Sequence, residues 1–206
     1  TLVIYTSDHG MSLGQHGFWG HGEDTWPSNT HREANNIPMI IRPPGKRNEG
    51  KVQQSLVGTT DIFATILDYA GLPSPTPEKM HSRSMRSLIE EDAPEWGDAV
   101  FMEQEETRTI RTADWLLMRR YGPTSFEFTD ELYDLRNDPD ERQNVIDKAE
   151  HADELNVLVA RLDDFFDTYS NPKWNLWTGG GAKGNSTRPF LWREAWGEDW
   201  KPTYSV

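Results

Sequence analysis

Cysteine is absent from the 206-residue chain, so disulfides and thiol catalysis are excluded, while the compartment stays open because secreted domains also do without bridges. No apolar run is long enough to span a bilayer. Positive charge is scarce. Against 34 Asp and Glu stand 21 Lys and Arg, a formal net charge of −13 at pH 7, which argues against nucleic acid and anionic membranes as partners. An anionic substrate then has to be met by local positive charge and a bound cation. Neither an initiator Met nor a secretory leader precedes Thr1, which stands inside a strand pattern, so the chain is expected to be the second part of a longer protein. Repeats and extended low-complexity segments are lacking too, apart from a flexible polar stretch at 178–186. With 35% hydrophobic residues the chain can bury one core and a smaller satellite layer.

What is present begins at residue 2. The run Leu2-Val3-Ile4-Tyr5 reads as a strand buried on both faces of a parallel sheet, and it breaks into Ser7-Asp8-His9-Gly10. Open α/β sheets place their ligands beyond the carboxyl ends of strands, so Asp8 and His9 are expected to face the crevice. The same four residues also suit a plain turn, with Asp8 capping the backbone and Gly10 at positive φ. A second core strand is read at 37–42. The long loop between the two carries His9, His16, His21 and His31, and a loop of that length in a compact domain is usually functional.

Further on, Thr59 or Thr60 can cap a helix whose Ile62, Ile66 and Leu67 share the face that covers the sheet, with Gly71 and Pro73 as its stop. The Pro-rich stretch 72–77 marks a break. Short strands are read at 99–102, 107–111, 115–121 and 131–135, giving a small antiparallel sheet. From Asp153, apolar residues recur at helical spacing to Tyr169, an amphipathic helix expected to pack on that sheet. Trp174, Trp177, Trp192, Trp196 and Trp200 end the chain; they are read as a tail wrapping the core, with stacking on a sugar as the alternative. The expected divisions are 1–96, 97–170 and a Trp-rich tail at 171–206.

Four segments in order carry a family likeness: Ser7-Asp8-His9-Gly10; Leu13-Gly14-Gln15-His16-Gly17 leading to Ile37-Pro38-Met39-Ile40-Ile41; Asp61-Ile62-Phe63-Ala64-Thr65-Ile66-Leu67-Asp68-Tyr69-Ala70-Gly71; and Glu131-Leu132-Tyr133-Asp134-Leu135 with Asp138-Pro139, Glu141 and Asn144. Over roughly residues 1 to 145 the chain resembles the sulfatase family of the alkaline-phosphatase-like superfamily, C-terminal portion only. The resemblance implies an α/β fold: the C-terminal part of an alkaline-phosphatase-like sandwich, a mostly parallel sheet with flanking helices, plus a small antiparallel-sheet and helix subdomain.

For the chemistry, the resemblance implies that Asp8 and His9 help hold a divalent cation, usually calcium in this family. An imidazole is an unusual calcium ligand, so manganese, magnesium or zinc also qualify. Family members use formylglycine, made from the first residue of a Cys/Ser-x-Pro-x-Arg motif, and this chain has no such motif. The nucleophile is therefore expected on a missing N-terminal segment of the same protein, and this chain alone is expected to be catalytically silent. Twelve positions after His9, where relatives place a sulfate-contacting Lys, stands His21. With an ordinary pKa of about 6.5, a His there contacts the transferred group or protonates the leaving oxygen, which makes activity sensitive to pH near neutrality. His16 is expected to brace the loop. His31 and Arg32, with Trp19 and Trp26, are expected to line the cleft and select the alcohol part of the ester. Lys46, Arg47 and Lys51 read as an exposed basic turn, and His81 and His151 as surface residues. The implied function is hydrolysis of a sulfate ester of a small molecule or carbohydrate. Alternatives are a phosphonate monoester or phosphodiester hydrolase of the same superfamily, and a non-catalytic carbohydrate- or protein-binding module on the same scaffold.

Overall fold

The computed structural model describes residues 1–22, 24–25, 27–45, 50–75, 77–91, 95–121, 128–180, 197 and 199. Trp26, Lys46, Arg47, Trp192, Trp196 and Trp200, and with them most of the expected tail, lie outside the described residues.

The best-packed part is an antiparallel meander of β5 (Ala99–Gln104), β6 (Thr107–Thr112), β7 (Trp115–Arg120) and β8 (Glu131–Asp134), in that order. The register Phe101↔Ile110, Ile110↔Leu117 and Leu117↔Leu132 aligns one apolar row across all four strands. That row faces α4 (Ala152–Tyr169), whose Leu158, Leu162 and Phe166 fall on one helical stripe and are buried against Ile110, Trp115, Leu117 and Leu132. Phe165 stacks on Phe101 with ring centroids 3.9 Å apart. Asp153 and Glu154 in the first turn of α4 complement its N-terminal dipole. Arg161 grips Asp98 at the edge of β5 through two bonds of 2.6 and 3.2 Å.

Every residue of Trp115-Leu116-Leu117-Met118 is buried, so both faces of this sheet are covered. The face turned away from α4 carries Leu116, Met118 and Tyr133, together with Thr107, Thr109, Arg111, Arg120 and Glu131. It is against this polar face that the histidine-bearing loop lies.

The class is α/β, but the two N-terminal strands differ from their expected arrangement. β1 (Val3–Thr6) pairs antiparallel with β4 (Met39–Arg42), Thr6 opposite Met39, and all strand pairings among the described residues are antiparallel. The chain between them returns to the same end of the ribbon through a short hairpin and the single turn α1 (Arg32–Asn35), without the crossover that a parallel neighbour requires. Nor is β1 covered on both faces, since Val3 and Tyr5 are 45% and 64% exposed.

The helix expected after Thr60 forms as α2 (Asp61–Ala70), and Gly71 ends it with φ 68°, a left-handed C-terminal stop. Its cap and its face differ from the reading. Thr60 makes no side-chain cap; instead the Asp61 carboxylate accepts the N–H groups of Gly58 at 3.0 Å and Arg83 at 2.8 Å. The buried face carries Asp61 and Thr65, while Ile66 is exposed. Thr65 Oγ1 donates to Asp61 O and accepts the Met85 N–H at 2.9 Å, which locks α2 to the segment leading into α3 (Arg86–Glu90). Two polar groups with fixed non-local partners thus outweigh the apolar stripe in orienting the helix.

Candidate active site

Asp8 and His9 follow directly on β1. Asp8 Oδ1 accepts the His9 N–H at 2.9 Å and the Ser7 hydroxyl at 3.3 Å, and the side chain is 86% exposed. The His9 amide, chiefly, holds the carboxyl below its ordinary range, so it is an open, ionised oxygen donor. His9 Nδ1 lies 2.7 Å from Gly10 O. A carbonyl can only accept, so Nδ1 carries a proton, which leaves Nε2, 3.7 Å from Asp8 Oδ1, as the ring nitrogen open to a ligand. Adjacent residues therefore offer one carboxylate oxygen and one imidazole nitrogen to the same region, the donor set of a divalent metal corner.

Gly10 does not have the positive φ that a plain turn suggests. It is needed for another reason: a Cβ there would stand 2.1 Å from Glu33 O. This close approach lets the Gly10 and Met11 amides donate to Ala34 O and Glu33 O, both at 2.8 Å, so α1 holds the Asp8-His9 doublet from behind.

The hairpin of β2 (Ser12–Leu13) and β3 (Trp19–Gly20) then reverses the chain, with Ser12 opposite Gly20. Its turn uses left-handed backbone at Gly14, His16 and Gly17, with φ of 103°, 54° and 76°. The reversal lays the His21 ring on the His9 ring, centroids 3.6 Å apart and planes 18° from parallel. His21 Nε2 lies 2.9 Å from Asp24 Oδ2. Three expected site residues, Asp8, His9 and His21, are thus brought together, and Asp24 joins them unforeseen. Trp19, next but one to His21, is 73% exposed.

His31, expected to line the cleft, is instead 2% exposed. Its Nδ1 donates to Glu141 Oε2 at 3.0 Å, its Nε2 lies 3.7 Å from Glu131 Oε2, and its ring stacks on His16 at 3.8 Å. Both nitrogens are turned to carboxylates inside the protein, so His31 braces rather than faces solvent. His16 shares that enclosure, with Nε2 3.5 Å from Glu33 Oε2; burial, and then the neighbouring His31, push its pKa down. Arg32 is divided: its N–H donates to Glu141 at 3.0 Å, while its guanidinium is about half exposed, 3.9 Å from Asp140.

His16, His31 and Glu141 place ligand-type atoms within 4.8 Å of one another. Their geometry suits hydrogen bonding better than an ion. The two rings lie 5° from parallel, so their in-plane lone pairs do not converge, and Glu141 is already engaged by His31, the Arg32 N–H and Arg111 Nη1 at 2.7 Å. Burial raises the Glu141 and Glu131 carboxyls, but the His31 and Arg111 bonds on Glu141, and Arg120 with His31 beside Glu131, outweigh it and hold both below their ordinary range. Sequence reasoning noted Glu131 and Glu141 only as parts of a family segment. Their role shows in pairings with His31, 110 residues away for Glu141, that no local spacing signals.

Residues 22–167 match the family described as N-sulphoglucosamine sulphohydrolase, C-terminal. The chain belongs to this sulfatase family, as its C-terminal portion. Asp8, His9 and His21 precede the matched range, which contains His31, Arg32, Glu131 and Glu141. An N-acetylglucosamine-6-O-sulfatase of Bacteroides thetaiotaomicron is 28% identical over 176 residues, 80% of this chain and 30% of that protein. An arylsulfatase of Clostridium perfringens is 26% identical over 166 residues, 77% of this chain and 32% of that protein. Among solved structures, one of a protein in complex with its substrate D-glucosamine-2-N,6-O-disulfate aligns with a TM-score of 0.68 and 26% identity, covering 82% of this chain and 34% of that one. A phosphonate monoester hydrolase of Agrobacterium radiobacter shares the fold, with a TM-score of 0.63 and 24% identity over 81% of this chain and 34% of that one. The chain spans about a third of the length of the curated relatives it matches.

Proposed function

We propose that the protein to which this chain belongs is a metal-dependent sulfatase acting on a sulfated carbohydrate, and that this chain supplies one wall of its active site. The observation that carries the reading is the contact between His9 and His21: a metal-type doublet and a candidate sulfate-facing imidazole, far apart in the loop, meet ring to ring at 3.6 Å. A sulfate ester resists attack because its own oxygens are negative, so a site has to neutralise them and the charge growing on the departing oxygen. Asp8 and His9 fit a divalent cation, calcium by family likeness and manganese, magnesium or zinc by the imidazole donor; bound there, it supplies Lewis-acid neutralisation of those oxygens. The nucleophile, formylglycine, belongs on an N-terminal segment outside this chain, and without that segment the chain turns over nothing.

Within the chain, His21 faces the transferred group and delivers a proton to the leaving oxygen, with Asp24 at 2.9 Å holding its ring in place. Arg32, on the exposed side of α1, contacts the polar remainder of the ester. The names of the relatives favour a sulfated amino sugar as substrate class. A phosphonate monoester or phosphodiester is the second reading, favoured by the fold shared with a phosphonate monoester hydrolase and by an imidazole in place of a fixed Lys charge. In the full-length protein, elemental analysis together with turnover of a glucosamine 6-sulfate and of a phenyl phosphonate ester separates these readings. His21→Ala abolishing sulfate turnover, and Asp8→Asn losing the metal, support the first. Wild-type turnover and pH profile in His21→Ala, or full metal content in Asp8→Asn, overturn the assigned roles.

A further inference from the structure

We infer that two buried carboxylates beside the C-terminal sheet, Glu106 in its β5–β6 turn and Glu141 in the segment after β8, are positioning residues that set the two halves of the Asp8, His9 and His21 site from behind. The inference rests on the functional reading above for what the site does, but not for how it is held. Both side chains are fully buried, at 0% exposure, and both accept hydrogen bonds from the loop that carries the histidines.

Glu106 sits at the tip of the tight β5–β6 turn, where Glu105 takes φ 51°. Its Oε1 accepts the Ser28 N–H at 2.7 Å and its Oε2 the Ser28 hydroxyl at 3.0 Å. Ser28 O is held in turn by Thr107 at 3.1 Å and Arg120 at 2.8 Å, so residue 28 has no freedom to shift along the sheet. The neighbouring Asn29 passes this placement on. Its N–H donates to Gly22 O at 3.2 Å and its side-chain amide to Ser12 Oγ at 2.8 Å, which ties down β2 and the segment just after β3, one residue from His21.

Glu141 controls the other half. A single oxygen accepts both the His31 ring and the Arg32 N–H, each at 3.0 Å, while the other binds Arg111, and this fixes the start of α1. The far end of α1 presents Glu33 O and Ala34 O to the Gly10 and Met11 amides, next to His9. One carboxylate therefore reaches His21 through Asn29 and Gly22, and the other reaches His9 through α1. Where the two arms meet, the imidazoles stack. An ordinary surface loop would place these rings by its own turns; here the reference frame is the four-stranded sheet, reached through the β5–β6 turn at Glu106 and through Arg111 at Glu141.

The two sites differ in a way that chemistry can test. Each oxygen of Glu141 has a partner that can only donate, the Arg32 N–H on one and Arg111 on the other, so Gln cannot replace it: its NH2 group would oppose an N–H on whichever side it faced. At Glu106 one partner is a hydroxyl, which can turn to accept, so Gln there can satisfy both contacts. In the full-length protein with isotope-labelled histidine, the stacked rings of His9 and His21 have upfield-shifted resonances, assigned by their loss in His9→Asn and His21→Asn. Glu106→Ala and Glu141→Gln move both resonances toward free imidazole and lower kcat about 10²-fold while KM changes little, as expected when groups are displaced by about 1 Å. Glu106→Gln restores both readouts. Leu158→Ala, which loosens only the far side of the sheet, lowers stability and leaves both unchanged. Variants that fold with the resonances in place, or that lose the stacking yet turn over normally, overturn the inference. If a carboxylate variant fails to fold, Ser28→Ala and Arg111→Gln give the same reading in smaller amplitude, and unshifted resonances there overturn it equally. A wild-type protein inert toward sulfate esters refutes the functional reading, and the resonances still decide this one.

Discussion

Gly10→Ala puts two general effects in opposition, and their magnitudes decide the sign. Gly10 lies outside the left-handed region, so the usual expectation is a gain of about 0.4–1 kcal/mol from stiffening the unfolded chain. Against this, the added Cβ would stand 2.1 Å from Glu33 O and 3.1 Å from Glu33 C, both backbone atoms of α1 that cannot swing aside. To reach ordinary contact, residue 10 has to retreat by about 1 Å, which stretches the two amide bonds of 2.8 Å to Ala34 O and Glu33 O past the useful range. Losing both costs about 2 kcal/mol, which outweighs the entropic gain. The expected result is a Tm lower by about 2–6 °C. Because His9 is the adjacent residue, turnover should fall by about 10²-fold as well.

Thermal unfolding and steady-state kinetics of the full-length protein, run beside Gly17→Ala, check this reasoning. Gly17 has φ 76° and nothing within 4 Å of a built Cβ, so its variant pays only the left-handed backbone strain of about 1–2 kcal/mol and keeps wild-type turnover. A Gly10→Ala protein that melts at or above wild type would mean that α1 does not hold the doublet, and the account of the site would fail with it.

Three further outcomes are expected. Leu117, fully buried between the sheet and α4, loses 2–5 kcal/mol as Ala in urea unfolding, about the usual range for such sites, whereas Val157→Ala, at a position 57% exposed, stays within about 0.5 kcal/mol of wild type. Arg108 lies 4.1 Å over the Phe166 ring and binds Glu103 and Asn175, each at 2.7 Å; Arg108→Lys keeps the charge but not the fork, so amide exchange at Gly180, bonded to Asn175 O, should rise by about tenfold, and unchanged exchange would refute the anchor. Glu131 and Glu141 have depressed pKa values in the folded protein, so their stabilisation is complete above the unfolded carboxylate range and is lost as pH falls through the folded values. His16, also depressed, costs stability in the same direction, beginning where the unfolded imidazole takes up its proton, below pH of about 6.5. Urea midpoints across this range should therefore slope down toward acid, less steeply in Glu131→Gln, and an equal slope would contradict the assignment.

Elements set by local period were legible. Short β-rich runs between residues 99 and 135 and the helical stripe from Leu155 to Phe166 predict the meander and its covering helix, because each is written in local residue pattern. The stop at Gly71 was legible for the same reason, as left-handed backbone calls for glycine. The orientation of α2 was not, since it turns on Asp61 and Thr65 finding Arg83 and Met85 some twenty residues on. Asp8, His9 and His21 could be named from their order and likeness, but their meeting could not: the loop from 7 to 36 has no period, and its path is set by bonds to Glu106, Thr109 and Glu141.

The net charge of −13 shows why these supports were hidden. Composition treats every acid as surface, and most are, but Glu106 and Glu141 are fully enclosed and Glu131 is half-buried. An enclosed carboxylate is tolerable only where donors surround it, and the histidine loop offers the donors: a serine, the imidazole of His31 and the amide N–H groups of a helix start. The requirement runs both ways, because the loop's amides, lacking a ladder of their own, need acceptors as strong as carboxylates. Loop and sheet therefore satisfy each other, and the cost of separating them, the loop bonds of two buried carboxylates given up at once, is what keeps two imidazoles in register at 3.6 Å.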